Sequence, residues 1–321
     1  VASDVDLAAE AQNDGDDLCF VAYADNTTKL NHEIEWFNGA SGKLSAWVKI
    51  PSVSSIADTK IWMYYGNSVC TNQENAHQVW DGNFGGVWHM QEIHAIDSTS
   101  NGNTGSDTGT PLIAPGAVNN SVDFIPTDYI DVGTDGSIDT ANDNTLTWEC
   151  WINGDSNAVD QILLVQSRWI NSWNVALGTY DADVSGNAIK WITRDDDGGA
   201  RDTLSSGVSI TTGSWMHIAG TYNNGASDNK SIYINGALKA STTTGINNLR
   251  GGPTTATLMA YGGSSYPYNG KIDEVRMSSN VRNASWINAT YQTIAHPSTF
   301  FSLDAEQSLL TNGTYRWIFT Q

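Results

Sequence analysis

GSWMHIAGTYNN occupies residues 213–224 and KSIYINGAL residues 230–238. Both segments are short, rich in β-branched and aromatic residues, and bounded by Gly and Asn, the composition of β-strands closed by turns. Asn235-Gly236 is the pair favoured in two-residue hairpins, because both turn positions need a positive φ. Outward from this hairpin the pattern repeats about every ten residues. Strands are expected at 121–125, 128–133, 146–152, 161–167, 173–180, 188–193, 255–263 and 270–278, with turns of Gly, Asn and Asp between them. Such spacing indicates an antiparallel sandwich. Residues 278–292, SSNVRNASWINATYQ, read as a short helix.

An earlier block reads as a second β unit. LCFVAY, LNHEIEWF, LSAWVKI and KIWMYY, within residues 18–65, alternate or run apolar, and ADNTT, NGASGK and PSVSSIADT separate them. Residues 72–81 suggest one helical turn. The expected architecture is therefore all-β: a small antiparallel β-sandwich over residues 1–81, then a larger sandwich over 84–302. Residues 303–321 are expected to form a linker and a C-terminal strand.

Composition agrees. The 321 residues are 40% hydrophobic with 13 Trp and 12 Tyr, enough for real cores, while only 16% are charged. The net charge of −20 repels phosphate, so nucleic acid is a poor partner. No apolar run is long enough to span a membrane. Cys19, Cys70 and Cys150 lack the spacing of a zinc site. Cys19 and Cys70 fall in one unit and could pair in an oxidising compartment; the alternative is three small buried hydrophobes. Asn-x-Ser/Thr sequons begin at Asn26, Asn119, Asn229, Asn283, Asn288 and Asn312, and permit N-glycosylation.

The second unit resembles the laminin-G-like branch of the concanavalin A-like lectin/glucanase jelly rolls. The resemblance rests on GVWHMQE with DSTSNGNTG, VDFIPTDYIDVG, LTWECWIN, the hairpin quoted first, and GKIDEVRMSSNVRNASWI, in that order over 84–292. Ile125, Pro126 and Thr127 replace the Asp-Gly-Ser usual in the third of these motifs. The first unit resembles a small β-domain of unassigned function that precedes such domains in secreted prokaryotic surface proteins. Its marks are NDGDDLCFVAYADNTTKLNHEIEWF, AWVKIPSV and IWMYYGN. That family opens with a Y-R-x-x-I/F-T strand, absent from this N-terminus. TYRWIFTQ at residues 314–321 is similar to it.

These features set the functional expectations. DSTSNGNTG offers Asp97, Asn101 and Asn103 as oxygen ligands on a loop that can turn its carbonyls inward, suiting Ca²⁺. The resemblance adds Asp273 as the fourth ligand, with calcium in a structural role; the alternative is a solvated loop. A glycosidase on this fold needs paired carboxylates. Glu33 and Glu35 share a strand face but read as solvated. Asp273 and Glu274 alternate to opposite faces. No enzyme is expected. Sugar binding points to Trp169, Trp173, Tyr180 and Trp191 with Arg168, Arg194 and Arg201, which cluster in the middle strands; core packing is the alternative.

Two functional classes follow. One is a surface protein whose Tyr315, Trp317 and Phe319 strand completes the first unit of the next copy, giving a head-to-tail filament with a lectin-like adhesive domain. The other is a monomeric secreted carbohydrate-binding module with the strand folded back. A hydrolase ranks third. The expected partners are copies of itself and glycans, outside the cell.

Overall fold

The computed structural model describes residues 2–320 except 140–144, 159, 170–171, 181–184, 195–200, 225–229, 244–248, 250–255, 260–264 and 310–313. Of residues 167–169, 172–173, 308–309 and 314–320 it describes the backbone alone. The chain divides into two compact units, 1–81 with 292–321, and 82–291.

The first unit opens with α1 (Val5–Glu10), which the sequence reading missed. Asp4 caps it, its Oδ1 accepting from the Asp6 and Leu7 N–H groups at 3.0 Å each. The strands are β1 (Cys19–Ala22), β2 (Lys29–Leu30), β3 (His32–Asn38), β4 (Lys43–Val48) and β5 (Lys60–Tyr65), followed by α2 (Ala76–Val79). β3 and β4 pair as a separate hairpin. Alternation along β5 sends Ile61, Met63 and Tyr65 into a core with Leu7, Leu18, Phe20, Leu30 and Leu44. Trp62 joins Val21 in a cluster of its own, with Cys19 and Tyr64 packed against it.

The second unit is the larger sandwich. Its strands are β6 (Phe84–Trp88), β7 (Ser106–Thr108), β8 (Leu112–Pro115), β9 (Asn120–Phe124), β10 (Tyr129–Gly133), β11 (Thr145–Gly154), β12 (Ile162–Trp169) and β13 (Ser172–Gly178). They continue as β14 (Ala188–Arg194), β15 (Arg201–Ser209), β16 (Met216–Asn223), β17 (Lys230–Ile234), β18 (Ala237–Thr242), β19 (Ala256–Leu258) and β20 (Gly270–Ser278). A seven-stranded sheet runs β15-β14-β13-β12-β19-β10-β7. An eight-stranded sheet runs β18-β17-β16-β11-β20-β9-β8, with β6 also on β20. All pairings are antiparallel, as expected. Asn235 and Gly236 form the β17–β18 turn with φ of 52° and 72°. Trp191 lies in the core between the sheets, edge-on to Trp148 at 5.7 Å, its indole donating to the Thr221 carbonyl. A Cβ on Gly220 would come within 2.5 Å of that ring, so glycine makes the room.

The last segment holds α3 (Ala284–Ala295), α4 (Pro297–Phe300), β21 (Ser302–Leu303), β22 (Gln307–Leu309) and β23 (Thr314–Thr320). The change of unit falls at 291/292, within α3, rather than at 302. β23 lies antiparallel on β5 of its own chain, from Tyr315 opposite Tyr65 to Thr320 opposite Lys60. Of the expected linker 303–313, the described residues 303–309 are tied to the sheet. β21 and β22 both pair with β23, Lys60 Nζ meets Asp304 at 3.3 Å, and the Tyr65 hydroxyl donates to Glu306 at 2.5 Å.

Candidate functional site

The loop expected to hold calcium is organised from within. The Asp97 carboxylate accepts from the Val87, Thr99 and Asn103 N–H groups and from the Thr99 hydroxyl, at 2.8–3.0 Å. Four donors fill the lone pairs of a carboxylate. The Asn101 and Asn103 amide nitrogens donate to the Phe84 and Gly85 carbonyls, which takes up oxygens an ion would use. Asp273 serves another loop, accepting from Val118 N–H at 2.9 Å and from the Glu274 N–H. These four residues, as placed, do not fit a calcium shell.

Both carboxylate pairs behave differently from expectation. Glu33 is buried and accepts from the Trp80 indole at 2.8 Å; Glu35 accepts from the Trp47 indole at 2.8 Å. Neither reads as a solvated strand face. On β20 the alternation breaks at Glu274, whose φ is 48°. Glu149 opposes Arg276 while Trp151 opposes Asp273, so β20 carries an extra residue at this point. The bulge lets Glu274 reach Arg276 two residues on. Arg276 also holds Glu149 at 3.0 Å, His89 meets Glu274 at 2.6 Å, and His217 lies 3.3 Å from Glu149. All five side chains are buried. Burial alone would raise the Glu149 pKa, but His217 and Arg276 outweigh it and hold the carboxyl below its usual range. The sequence reading did not find this network, because its members are far apart in the chain.

The polar face with an open role is the outer side of the seven-stranded sheet. Val175 and Leu177 point into the core, so alternation sends Ala176 outward, while Asn174 is an extra residue of β13, lying between the pairs Val175–Gln166 and Trp173–Ser167. Ala176 joins Ile162, Val165 and Ile192 in a small apolar patch, and Tyr180 and Tyr266 pack onto it. The two tyrosine rings stack with centroids 3.7 Å apart. Their backbones are fixed: Tyr180 N–H donates to the Gln161 carbonyl, and the Tyr266 carbonyl accepts from Ile162 N–H. Burial, then the hydrogen bond with Tyr266, pushes the Tyr180 phenol up to about 12, against the pull of nearby Arg201. Arg201 opposes Arg194 across β14 and β15. Asn174 is 1% exposed, and neither its Oδ1 nor its Nδ2 has a hydrogen-bond partner among the described residues.

Of the residues expected to bind sugar, Tyr180, Arg194 and Arg201 therefore belong to this neighbourhood. Trp191 does not: its side chain fills the core. The side chains of Trp169, Trp173 and Arg168 lie outside the described residues. Asn174 and Tyr266 were not expected. Asn174 was legible only as the residue beside Trp173.

A family model described as the concanavalin A-like lectin/glucanases superfamily matches residues 126–288, just over half of the chain. The chain belongs to this superfamily. A second model, for a domain of unknown function (DUF2341), matches residues 14–105. That span runs past the first unit into β6 and the Asp97 loop of the lectin-like domain. Among solved structures, the lectin-like fold is similar to domain 4 of AbnA, a GH43 extracellular arabinanase from Geobacillus stearothermophilus, in complex with arabinotriose. The TM-score is 0.54 at 21% identity, over 65% of this chain and 98% of that one. The binding domain of Paraclostridial Mosquitocidal Protein 1 gives 0.54 at 14% identity, over 67% of this chain and 53% of that one. At these identities the likeness shows the fold alone. No match is found among curated proteins. Among the described residues no helix is long and apolar enough to cross a membrane.

Proposed function

We propose that the chain is a non-catalytic extracellular carbohydrate-binding module that reads a glycan on the outer face of its seven-stranded sheet. The observation that carries this reading is the stacked Tyr180–Tyr266 pair on the apolar patch of that face. Farther along β13, Asn174 adds a buried amide without a hydrogen-bond partner among the described residues. A sugar ring offers an apolar C–H face to an aromatic ring and hydroxyls to amides and guanidinium groups. Arg201 supplies the last of these. The similar AbnA domain was solved with arabinotriose, so arabino-oligosaccharides are the first ligands to test. Glu149 and Glu274, the buried carboxylate pair of this domain, are both ion-paired to one guanidinium, which leaves neither poised as a catalytic acid or base. Titration calorimetry with arabino-oligosaccharides, after a glycan-array screen, tests the reading. Binding that falls about tenfold or more in Tyr180→Ala, roughly the 1.4 kcal/mol that one aromatic contact contributes, supports it. An array without any bound glycan overturns it.

A second reading concerns assembly. One edge of β23 makes six pairs with β5 while β21 and β22 take the other, and the β5 pairs could equally be made with β5 of another copy. Such exchange would join copies head to tail into a filament or surface layer that displays the lectin-like domain.

A further inference from the structure

We propose that Asn26 is an N-glycosylation site, and that the first sugar of its glycan rests on the ring of Tyr23. The inference stands apart from the glycan-reading face and requires only that the chain be exported.

Four of the six sequons begin at asparagines the structure describes, and three of these are committed elsewhere. Asn119 Nδ2 donates to Gln91 Oε1 at 2.8 Å, beside the Val118 N–H held by Asp273. Asn283 caps α3, its Oδ1 accepting from Trp286 N–H, and Ser285 of its sequon already lies in the first helical turn. Asn288 lies within α3, its Nδ2 3.5 Å from the Gly236 carbonyl. A helical backbone cannot fold into the turn in which a transferase must grip the asparagine and the hydroxyl two residues on.

Asn26 differs on each count. It sits in the turn between β1 and β2 with φ of 55°, and residues 23–29 are all exposed. Its Oδ1 accepts from the Tyr64 hydroxyl. Oxygen and nitrogen leave the same amide carbon in divergent directions, so anchoring the oxygen on the sheet turns Nδ2 outward. Nδ2 has no partner among the described residues. Asp25 shapes the turn by accepting from the Thr27 and Thr28 N–H groups at 3.0 and 2.9 Å and from the Thr28 hydroxyl. Those bonds hold its carboxyl down at about 2, so Asp25 stays ionised and the turn stays formed at neutral pH.

Tyr23 supplies an independent observation. Asn26 N–H donates to the Ala22 carbonyl at 3.0 Å, which curls the chain and brings residues 23 and 26 to one side. The Tyr23 ring stacks on Trp62 at 5.1 Å and yet stays 44% exposed. A half-open aromatic ring three residues before the acceptor is a stacking surface for the apolar face of an N-linked sugar. In the transfer, Nδ2 attacks C1 of an oligosaccharide carried on a polyprenyl diphosphate. The N–C1 bond forms, the C1–O bond to phosphate breaks, the lipid diphosphate leaves with the electron pair, and Nδ2 gives up one proton.

The test uses the folded full-length chain, a single-subunit oligosaccharyltransferase that accepts plain Asn-x-Thr, and its lipid-linked donor. Peptide mass spectrometry reads occupancy at Asn26, Asn119, Asn283 and Asn288. The expected result is glycan at Asn26 ahead of the other three, lost in both Asn26→Gln and Thr28→Ala. Removing the glycan enzymatically should lower the Tm of the wild-type glycoprotein and leave that of Tyr23→Ala unchanged. Asn26 left unmodified, or modified no faster than the other three, overturns the site. A Tm drop on deglycosylation that persists in Tyr23→Ala overturns the stacking.

Discussion

Single residues carry the clearest consequences. Asn174 is a buried amide without partners among the described residues, and each such group costs about 1–3 kcal/mol of stability. A structural role predicts that Asn174→Val destabilises. A ligand-reading role predicts the opposite: the variant should melt at or above the wild-type temperature and lose glycan affinity. Calorimetry of folding and of binding on the same variant separates the two. Arg276 makes the contrary case, because it neutralises Glu149 and Glu274 where neither reaches water. Arg276→Met should cost about 3–5 kcal/mol by urea unfolding, since two buried carboxylates lose their counter-ion. The acid dependence follows from Glu149. Its folded pKa is depressed, so its contribution is fully present above the unfolded value near 4.5. It is lost as pH falls through the lower folded value. The steepening of acid unfolding below about pH 4.5 should shrink in Glu149→Gln.

At the scale of elements, the strands were legible because a half-buried strand writes its period of two into the sequence. β5 alternates core and outer residues, and the Asn235-Gly236 turn announced its hairpin. Legibility failed where a strand is buried on both faces or where the period breaks. AIKWIT places Ile189 and Trp191 in one cluster and Ile192 in another, so nothing in its pattern told Trp191 from a surface platform. The bulge at Glu274 needs a positive φ, and there a glutamate occupies it instead of the glycine that would have signalled it. α1 left a usable sign in Asp4 ahead of VDLAAE, but six residues are too few for a helical period. The Asp97 loop showed the right ligand types for calcium while its sequence hid that Asp97 would be saturated by its own backbone. That saturation makes a prediction. Chelation with EDTA should leave the Tm unchanged, whereas Asp97→Ala should lower stability by about 1–3 kcal/mol per buried donor left unpaired. A Tm drop of several degrees on chelation alone would restore the calcium reading.

At the scale of the whole molecule, the question is whether β23 serves its own chain or the next one. Its backbone opposes β5 over six consecutive pairs, and an exchanged strand would make the same six. The folded energy of the ladder is then nearly equal in cis and in trans, and concentration and kinetics choose between them. Lys60 and Thr320 face one another at the end of that ladder, so cysteines at both positions report the choice directly. In a Cys19→Ser, Cys70→Ser background, Lys60→Cys with Thr320→Cys should oxidise readily. Cys150 is buried and its thiol pKa is pushed up, so it stays silent. A chain closed on itself yields only disulfide-linked monomer on a denaturing gel at every concentration. Exchange yields a covalent ladder of dimers, trimers and longer species that strengthens with concentration and after cycles of partial heating. Removing residues 314–321 should abolish every such species and any fibre seen by electron microscopy. A synthetic TYRWIFTQ peptide should then bind the truncated chain, because β5 is left with an unpaired edge. Monomer alone, at millimolar concentration and after annealing, would leave β23 as a strand of its own subunit and the glycan-binding module as the whole function.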